Sequence, residues 1–155
     1  MDATMDGIPK FACDRMLARL ARWLRLLGAD TIWDSKLDSA AMLKRARQEG
    51  RVMITRDKRM CLAPGVLFLT DNDIRDQLRA VISRVPFNVR QNALTRCSRC
   101  NAELVAVPRE LLARRVPPFV YASNDHFSEC PGCGRIYWKS THPERIFKQI
   151  ETLKV

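Results

Sequence analysis

The chain has 155 residues, with 27 Lys and Arg against 17 Asp and Glu, so its formal net charge is +10. Both halves share the excess, since residues 1–95 are net +6 and residues 96–155 are net +4. Most of the positive charge comes from arginine, whose guanidinium group matches the geometry of phosphate oxygens. This favours a protein that binds a polyanion, and the alternative is a basic protein with no nucleic-acid role. No apolar run approaches the roughly 18 residues of a membrane-spanning helix, which excludes that class of protein.

The N-terminal third begins with a polar stretch and then a strand followed by a helix. Residues 1–9 contain acids and no apolar core, so we predict a disordered lead-in, no secretory signal and a cytoplasmic location. Lys10–Cys13 is a short apolar run that predicts a strand ending on Asp14. A helix is predicted over Arg15–Leu27, closed by Gly28. Leucines at helical spacing form its apolar stripe, and arginines form a cationic ridge beside it. The ridge consists of Arg15, Arg19, Arg22 and Arg25.

Short apolar strands and helices alternate after the first helix. Strands are predicted over Thr31–Trp33, Arg51–Thr55 and Val66–Leu69, and helices over Ser39–Ala46 and Ile74–Ile82. This alternation is typical of parallel βαβ units, so we predict an α/β domain of three layers with a mainly parallel sheet. Neither GxxxxGK[ST] nor GxGxxG occurs, which counts against nucleotide-binding folds of those types.

An aspartate stands at or just after the end of each predicted strand. These are Asp14, Asp34, Asp57 and Asp71, and Asp38 opens the second helix. Because the carboxyl ends of parallel strands share one sheet edge, these side chains can converge there. Clustered carboxylates need a cation, and their oxygens suit Mg²⁺ or Mn²⁺. Two ions roughly 3.5–4 Å apart would clamp a scissile phosphate, which favours a metal-dependent phosphodiesterase. The alternative is that the acids are ordinary turn and N-cap residues.

Four of the six cysteines form two CxxC pairs, Cys97 with Cys100 and Cys130 with Cys133, after a polar boundary segment at 86–95. In a chain without an export signal this spacing favours a metal over disulfides. Four thiolates are the tetrahedral set that zinc prefers in closed structural sites, so we predict a small ribbon that depends on zinc for folding. Redox and iron–sulfur sites are the alternatives. The other two cysteines are predicted to be core or incidental thiols.

Aromatic and basic residues are interleaved after the second CxxC pair. Tyr137 and Trp138 stand between Arg135 and Lys139. Single-stranded nucleic acids stack their bases on aromatic rings and place their phosphates near such cations. This segment is therefore a candidate nucleic-acid contact, and core packing of the two aromatic residues is the alternative. A last amphipathic helix is predicted over Pro143–Leu153.

Four segments of the chain resemble the Mut-seven C-terminal ribonuclease domain family, in which a PIN-like nuclease domain is joined to a zinc ribbon. The segments are KFACDRMLARLARWLRLLGAD, RVMITRD, RCSRCNAEL and PPFVYASNDHFSECPGCGRIYWKSTH, in the family's order between Lys10 and Arg145. The resemblance implies a PIN-like α/β fold. It also implies endoribonuclease activity on single-stranded RNA with Mg²⁺ or Mn²⁺.

The resemblance carries two acids over directly, Asp14 in the first segment and Asp57 in the TRD motif. The family pattern also has an acid at the start of the second helix, where Asp38 is the nearest candidate. Ser39 and Ala40 stand where further acids are expected, so this chain departs from the pattern there. Asp71 and Asp73 are candidates for a fourth ligand.

These features predict a PIN-like nuclease domain over residues 10–90 and a zinc ribbon with a C-terminal helix over residues 91–155. The predicted catalytic residues are Asp14, Asp38 and Asp57, which would hold Mg²⁺ or Mn²⁺. The predicted nucleic-acid contacts are Arg15, Arg19, Arg22, Arg56, Lys58, Arg135, Trp138 and Lys139. The alternatives are a noncatalytic RNA- or ribosome-binding module with a degenerate site, and a nuclease that acts on DNA through the same acids.

Overall fold

The computed structural model describes residues 7–138 and residue 148. Three predictions lie outside the described residues: the lead-in as far as residue 6, Lys139, and the helix over 143–153 apart from Lys148. Among the described residues, no helix combines the length and the apolar character needed to cross a bilayer.

Four parallel strands form the central sheet, in the order β2-β1-β3-β4. They are β1 (Lys10–Cys13), β2 (Asp30–Ile32), β3 (Val52–Thr55) and β4 (Val66–Phe68). Ala12 at the centre of β1 pairs with Ile32 in β2 and Met53 in β3. Strands covered on both faces are apolar without interruption, which is why these runs were recognisable in the sequence. The predicted parallel α/β architecture is confirmed.

Helices cover both faces of this sheet. They are α1 (Ala18–Leu26), α2 (Ser39–Glu49), α3 (Ile74–Arg84) and the short α4 (Val89–Asn92). On one face, Phe11 and Ile54 pack into a core with side chains of α1, α3 and α4. On the other face, Ala12 and Met53 pack against Met42 of α2. Alternate residues of each strand therefore enter opposite cores, as the period of two in a strand requires.

The first helix is shorter than predicted because it begins with a 3-10 turn at Arg15–Leu17. The amide of Leu17 donates to the carbonyl of Asp14 at 2.8 Å, three residues back, which tightens the chain directly after β1. At its other end α1 closes with Gly28 in the left-handed region, at φ +96°. The amides of Gly28 and Ala29 donate to the carbonyls of Arg25 and Leu24, which is the Schellman arrangement. A Cβ on Gly28 would lie 2.1 Å from the carbonyl oxygen of Asn92, so only glycine lets α4 pack here.

A second, antiparallel sheet follows, in the order β5-β6-β7. Its strands are β5 (Val105–Val107), β6 (Phe127–Glu129) and β7 (Ile136–Trp138), and α5 (Pro118–Ser123) lies in the connection between β5 and β6. Among the described residues, the buried core of this part is Leu112, Val116 and Phe127. So few buried side chains stabilise a small unit poorly, and a metal ion is the usual supplement.

The loop of the first CxxC pair covers the open edge of the parallel sheet at β2. The buried guanidinium of Arg25 donates to the carbonyls of Ser98 and Arg99 at 3.1 and 3.0 Å. Asn101 accepts from the amide of Thr31 at 2.9 Å and donates to the carboxylate of Asp30 at 2.7 Å. Side chains therefore bind backbone groups of the edge strand β2, which would be unpaired if this edge of the sheet were open to solvent.

Asn101→Gly is expected to lower the free energy of unfolding by about 1–3 kcal/mol, because it leaves the buried amide of Thr31 without its acceptor. Glycine is the suitable replacement because Asn101 has a φ of +65°, which other side chains rarely adopt. Urea unfolding of the full chain measures the effect. An unchanged midpoint would mean that the loop does not stabilise the sheet edge.

Candidate functional site

The carboxyl-terminal edge of the parallel sheet carries the predicted acids. Asp14 follows β1 and Asp57 lies two residues beyond β3, and these two strands are neighbours at the centre of the sheet. The amide of Asp14 donates to the carbonyl of Ile54 at 2.9 Å, which extends the β1–β3 pairing up to the acid. Asp34 and Asp71 follow the outer strands at the same edge, since all four strands are parallel.

Asp14 is buried, with an exposed fraction of 1%, and three donors hold its carboxylate. The amide of Arg15 donates to Oδ1 at 2.9 Å. The hydroxyls of Ser39 and Thr55 donate to Oδ2 at 2.7 and 2.6 Å. A buried carboxylate is costly unless it is paired or hydrogen-bonded, and these bonds meet that need. A carboxylate offers about four lone-pair sites, so three donors leave room for one further partner such as a cation.

Thr55 links the two central acids through its hydroxyl group. It accepts from the amide of Asp57 at 3.0 Å and donates to Asp14. Sequence reasoning did not single out Thr55 or Ser39 as holders of Asp14. The available signals were the Thr of the TRD motif at a strand end and the serine that opens α2.

Asp57 caps the 3-10 turn Lys58–Met60 and is bound by Arg59. Its carboxylate accepts from the amide of Arg59 at 3.0 Å and from both Nε and Nη2 of the guanidinium at 2.9–3.3 Å. The hydrogen bonds from the side chain and then the amide of Arg59 hold the pKa of Asp57 below its ordinary value. Asp57 is 12% exposed in its side chain and Arg59 is 87% exposed, so the arginine lies over the acid from the solvent side.

Asp38 is the N-cap of α2, where its carboxylate accepts from the amide of Ala41 at 2.8 Å. It shares a cleft of about 710 Å³ with Asp57, between α2 and the turn Lys58–Met60. Ser39 also lines this cleft and donates to Asp14, so the buried acid is connected to the cleft through the serine. The full lining is Arg15, Asp38, Ser39, Ala40, Leu43, Lys44, Arg47, Gln48, Asp57, Arg59 and Met60.

The structure brings the acids to one edge but does not gather three of them around one point. In the part of the chain that it describes, the four cysteines are the one group of at least three Asp, Glu, His or Cys side chains close enough to hold an ion. A three-carboxylate cage is not required for Mg²⁺, which usually keeps several waters and binds one or two carboxylates together with substrate phosphates. The oxygen donors at this edge fit that mode of binding.

The predicted nucleic-acid contacts have different environments. Arg15, Arg19 and Arg22 are exposed, whereas Arg25 of the cationic ridge is buried against the first CxxC loop. The exposed part of the predicted ridge therefore ends at Arg22, because helical spacing does not reveal which part of a helix another segment covers. Lys58 and Arg135 are exposed, and Arg56 is half-buried and bonded to Asn72.

The two aromatic residues beside Arg135 are half-buried, and each contacts other residues of the protein. Trp138 is half-buried and packs on Phe127, with 6.4 Å between ring centroids. The hydroxyl of Tyr137 lies 3.1 Å from the thiol of Cys97 and accepts from the amide of Ser98 at 3.1 Å. Tyr137 therefore contacts one of the four clustered cysteines, which is a positioning role that the sequence alone did not indicate.

The four sulfurs of Cys97, Cys100, Cys130 and Cys133 all lie within 4.8 Å of one another. The sulfurs of Cys97 and Cys133 are 3.8 Å apart. A tetrahedral zinc site with Zn–S bonds of about 2.3 Å has sulfurs separated by about 3.8 Å, so the cluster has the right size. Burial raises the pKa of Cys97, but hydrogen bonds from Tyr137 and from nearby amides outweigh it and bring the pKa to about 6. The distances between the four sulfurs therefore allow these cysteines to hold zinc.

Comparison with known proteins adds one positive finding. A family model described as the Mut7-C RNAse domain matches residues 9–150. A search of curated proteins and a search of solved structures each gave no match. The matched range includes both the parallel sheet and the cysteine cluster.

Proposed function

Because the chain belongs to the Mut7-C RNAse domain family, we propose that it is a metal-dependent endoribonuclease that acts on single-stranded RNA. The observation that carries the proposal is the buried carboxylate of Asp14, held at the end of a central strand and connected through Ser39 to a cleft. Strongly held polar groups at the carboxyl edge of a parallel sheet are characteristic of functional sites.

In this proposal Asp14, Asp38 and Asp57 supply the carboxylates for Mg²⁺ or Mn²⁺ at the sheet edge, where one or two of them bind the ion directly and waters complete its coordination. When bound, such an ion supplies an activated water and neutralises charge on the scissile phosphate and the leaving oxygen. Ser39 and Thr55 keep the Asp14 carboxylate in a fixed orientation by donating to one of its oxygens. Fixed ligands matter because misplacement by about 1 Å can cost about 10²-fold in rate.

The zinc ribbon has a structural role in the proposal. Cys97, Cys100, Cys130 and Cys133 bind one zinc ion, and four thiolates leave it no open position for a substrate. Exposed cations of both parts then bind the phosphates of the RNA. The candidates for RNA binding are the predicted contacts. These are the exposed Arg15, Arg19, Arg22, Lys58 and Arg135, the half-buried Arg56 and Trp138, and Lys139, which lies outside the described residues.

A noncatalytic RNA-binding module is the second candidate, and two observations favour it. Arg59 occupies both oxygens of Asp57, and Ser39 stands where the family pattern suggests an acid. Incubating the purified full chain with end-labelled single-stranded RNA, with and without Mn²⁺, separates the candidates. Cleavage that requires Mn²⁺ supports the ribonuclease, and a mobility shift without any product supports the binding module.

Arg59→Ala is expected to lower the Mn²⁺ concentration at half-saturation by about two- to fivefold, since it removes an exposed cation that competes for the Asp57 carboxylate. Electron paramagnetic resonance of free Mn²⁺ measures this without RNA. Arg79→Ala is the matched control, because Arg79 pairs with Asp76 on the surface of α3, at 3.5 Å. An Arg59→Ala titration curve identical to that of the control would mean that Asp57 does not contact the ion.

A further inference from the structure

One face of α2 forms a wall of the cleft that contains Asp38 and Asp57. Its lining residues are Ala40, Leu43, Lys44, Arg47 and Gln48. Their spacing of three and four residues places them on one side of the helix. The opposite side carries the buried Met42 and Ala46, which pack against the parallel sheet. The wall is therefore held rigidly by the core beneath it.

Charge is distributed unevenly along this wall. Asp38 stands at the N-terminal end of α2, near the sheet edge, while Lys44 and Arg47 lie about one and a half and two and a half turns further along. At 1.5 Å per residue, Lys44 is about 9 Å and Arg47 about 13 Å from Asp38 along the helix axis. A metal cation bound near Asp38 would lie beside negative charge. A polyanion that extends along α2 from there would lie beside the positive charges of Lys44 and Arg47.

The two cations of the wall, Lys44 and Arg47, are both exposed to solvent. The side chain of Lys44 has no hydrogen bond or ion pair within the part of the chain that the structure describes. Arg47 is exposed, and its guanidinium donates to the carbonyl of Pro64 at 3.0 Å across the surface. This contact keeps the guanidinium near the cleft and uses one of its five donors.

The cleft also has the size and the apolar surface that nucleotides require. Its volume of about 710 Å³ far exceeds that of a metal ion and lies within the usual range for organic ligands. Leu43 on one wall and Met60 on the other provide apolar surface beside the cations. Arg19 and Arg22 of the α1 ridge do not line this cleft.

We infer that the RNA strand runs along α2, with Lys44 and Arg47 on successive phosphates next to the scissile bond. It does not run over Arg19 and Arg22 of the α1 ridge, which this inference removes from the candidates for RNA binding. The inference rests on the proposed function, because it takes the acids at the cleft as the site of cleavage. It names Lys44 and Arg47 as substrate-binding residues that sequence reasoning did not select.

The test compares two double variants with the same loss of charge, Lys44→Ala with Arg47→Ala and Arg19→Ala with Arg22→Ala. Fluorescence anisotropy with a labelled single-stranded oligoribonucleotide, in buffer without Mg²⁺ or Mn²⁺, measures binding while cleavage is off. We expect the α2 variant to lose about tenfold in affinity and the α1 variant less than about threefold. The slope of log affinity against log salt should fall by about 1.4 in the α2 variant alone, since each phosphate contact on a single strand contributes about 0.7.

Equal losses in the two double variants, or a larger loss in the α1 variant, would overturn the inference. Lys44→Ala alone serves as a second variant, because it removes an exposed side chain and alanine is the best helix former. RNA affinity is measured under conditions in which no cleavage occurs. Failure of the α2 path can therefore be distinguished from failure of the proposed ribonuclease activity. RNA that binds through Lys44 and Arg47 but is never cut contradicts the ribonuclease only. If the double variant Lys44→Ala with Arg47→Ala cleaves RNA with an unchanged KM, only the proposed path of the RNA along α2 is contradicted.

Discussion

Asp14→Asn is expected to reduce Mn²⁺-dependent cleavage of single-stranded RNA by about 10²- to 10⁴-fold, because it removes a fixed anionic ligand from the centre of the sheet edge. The fold should persist, since the amide oxygen can still accept from Arg15 and the hydroxyls of Ser39 and Thr55 can rotate to meet the new group. We expect a loss of about 1 kcal/mol in the free energy of unfolding, the difference between charged and neutral hydrogen bonds. Cleavage of labelled RNA and urea unfolding are measured on the same preparation.

Asp76→Asn is the matched control for this experiment, because Asp76 is an exposed acid of α3 that pairs only with Arg79 among the described residues. It should leave cleavage unchanged. Asp14→Ala provides the opposite comparison, since it leaves buried donors unpaired at about 1–3 kcal/mol each and should destabilise the protein strongly. Mn²⁺-dependent cleavage retained by Asp14→Asn would remove this residue from the site.

Cys130→Ser is expected to abolish tight zinc binding and to unfold the antiparallel sheet. Zinc supplies an apparent free energy of about 10–16 kcal/mol in small structural sites, far more than the few buried side chains around Phe127 provide. Metal analysis should find one zinc per chain in the natural protein and almost none in the variant. Hydrogen exchange should show fast amide exchange throughout β5, β6 and β7.

The effect of zinc loss should extend to the parallel sheet at one place. The amide of Thr31 donates to the side chain of Asn101, next to the first CxxC pair, so hydrogen exchange at the Thr31 amide should also accelerate. The amides of β3 should stay protected. Cys61→Ser is the matched control, because Cys61 is an exposed thiol outside the cluster. A Cys130→Ser protein that keeps one zinc and a protected β6 would contradict the structural role of the metal.

The architecture was predictable because its signals are local. The strands β1, β3 and β4 are short, mainly apolar runs, and each of the longer helices has its apolar residues at helical spacing. The N-cap acids Asp38 and Asp73 stand directly before α2 and α3. The helix ends differ from the predictions by a few residues, and the 3-10 turn after Asp14 was missed because its spacing resembles that of an α-helix.

The partners of the site residues were not predictable, since they come from distant segments. Ser39 and Thr55 reach Asp14 from 25 and 41 residues away in the chain. Arg25 has the spacing of an exposed arginine but is buried by a loop more than 70 residues further on. The role of a polar side chain depends on what covers it, and local composition does not contain that information.

The sequence by itself determined the class of fold, the acids at the strand ends and the cysteine set, because each of these follows from residue type and short-range spacing. Tertiary structure alone decided that Thr55 and Ser39 hold Asp14, that Arg59 lies over Asp57, and that α2 lines the cleft. The physical reason is that burial and hydrogen bonding are properties of contacts between segments, and those contacts exist only once the sheet has assembled.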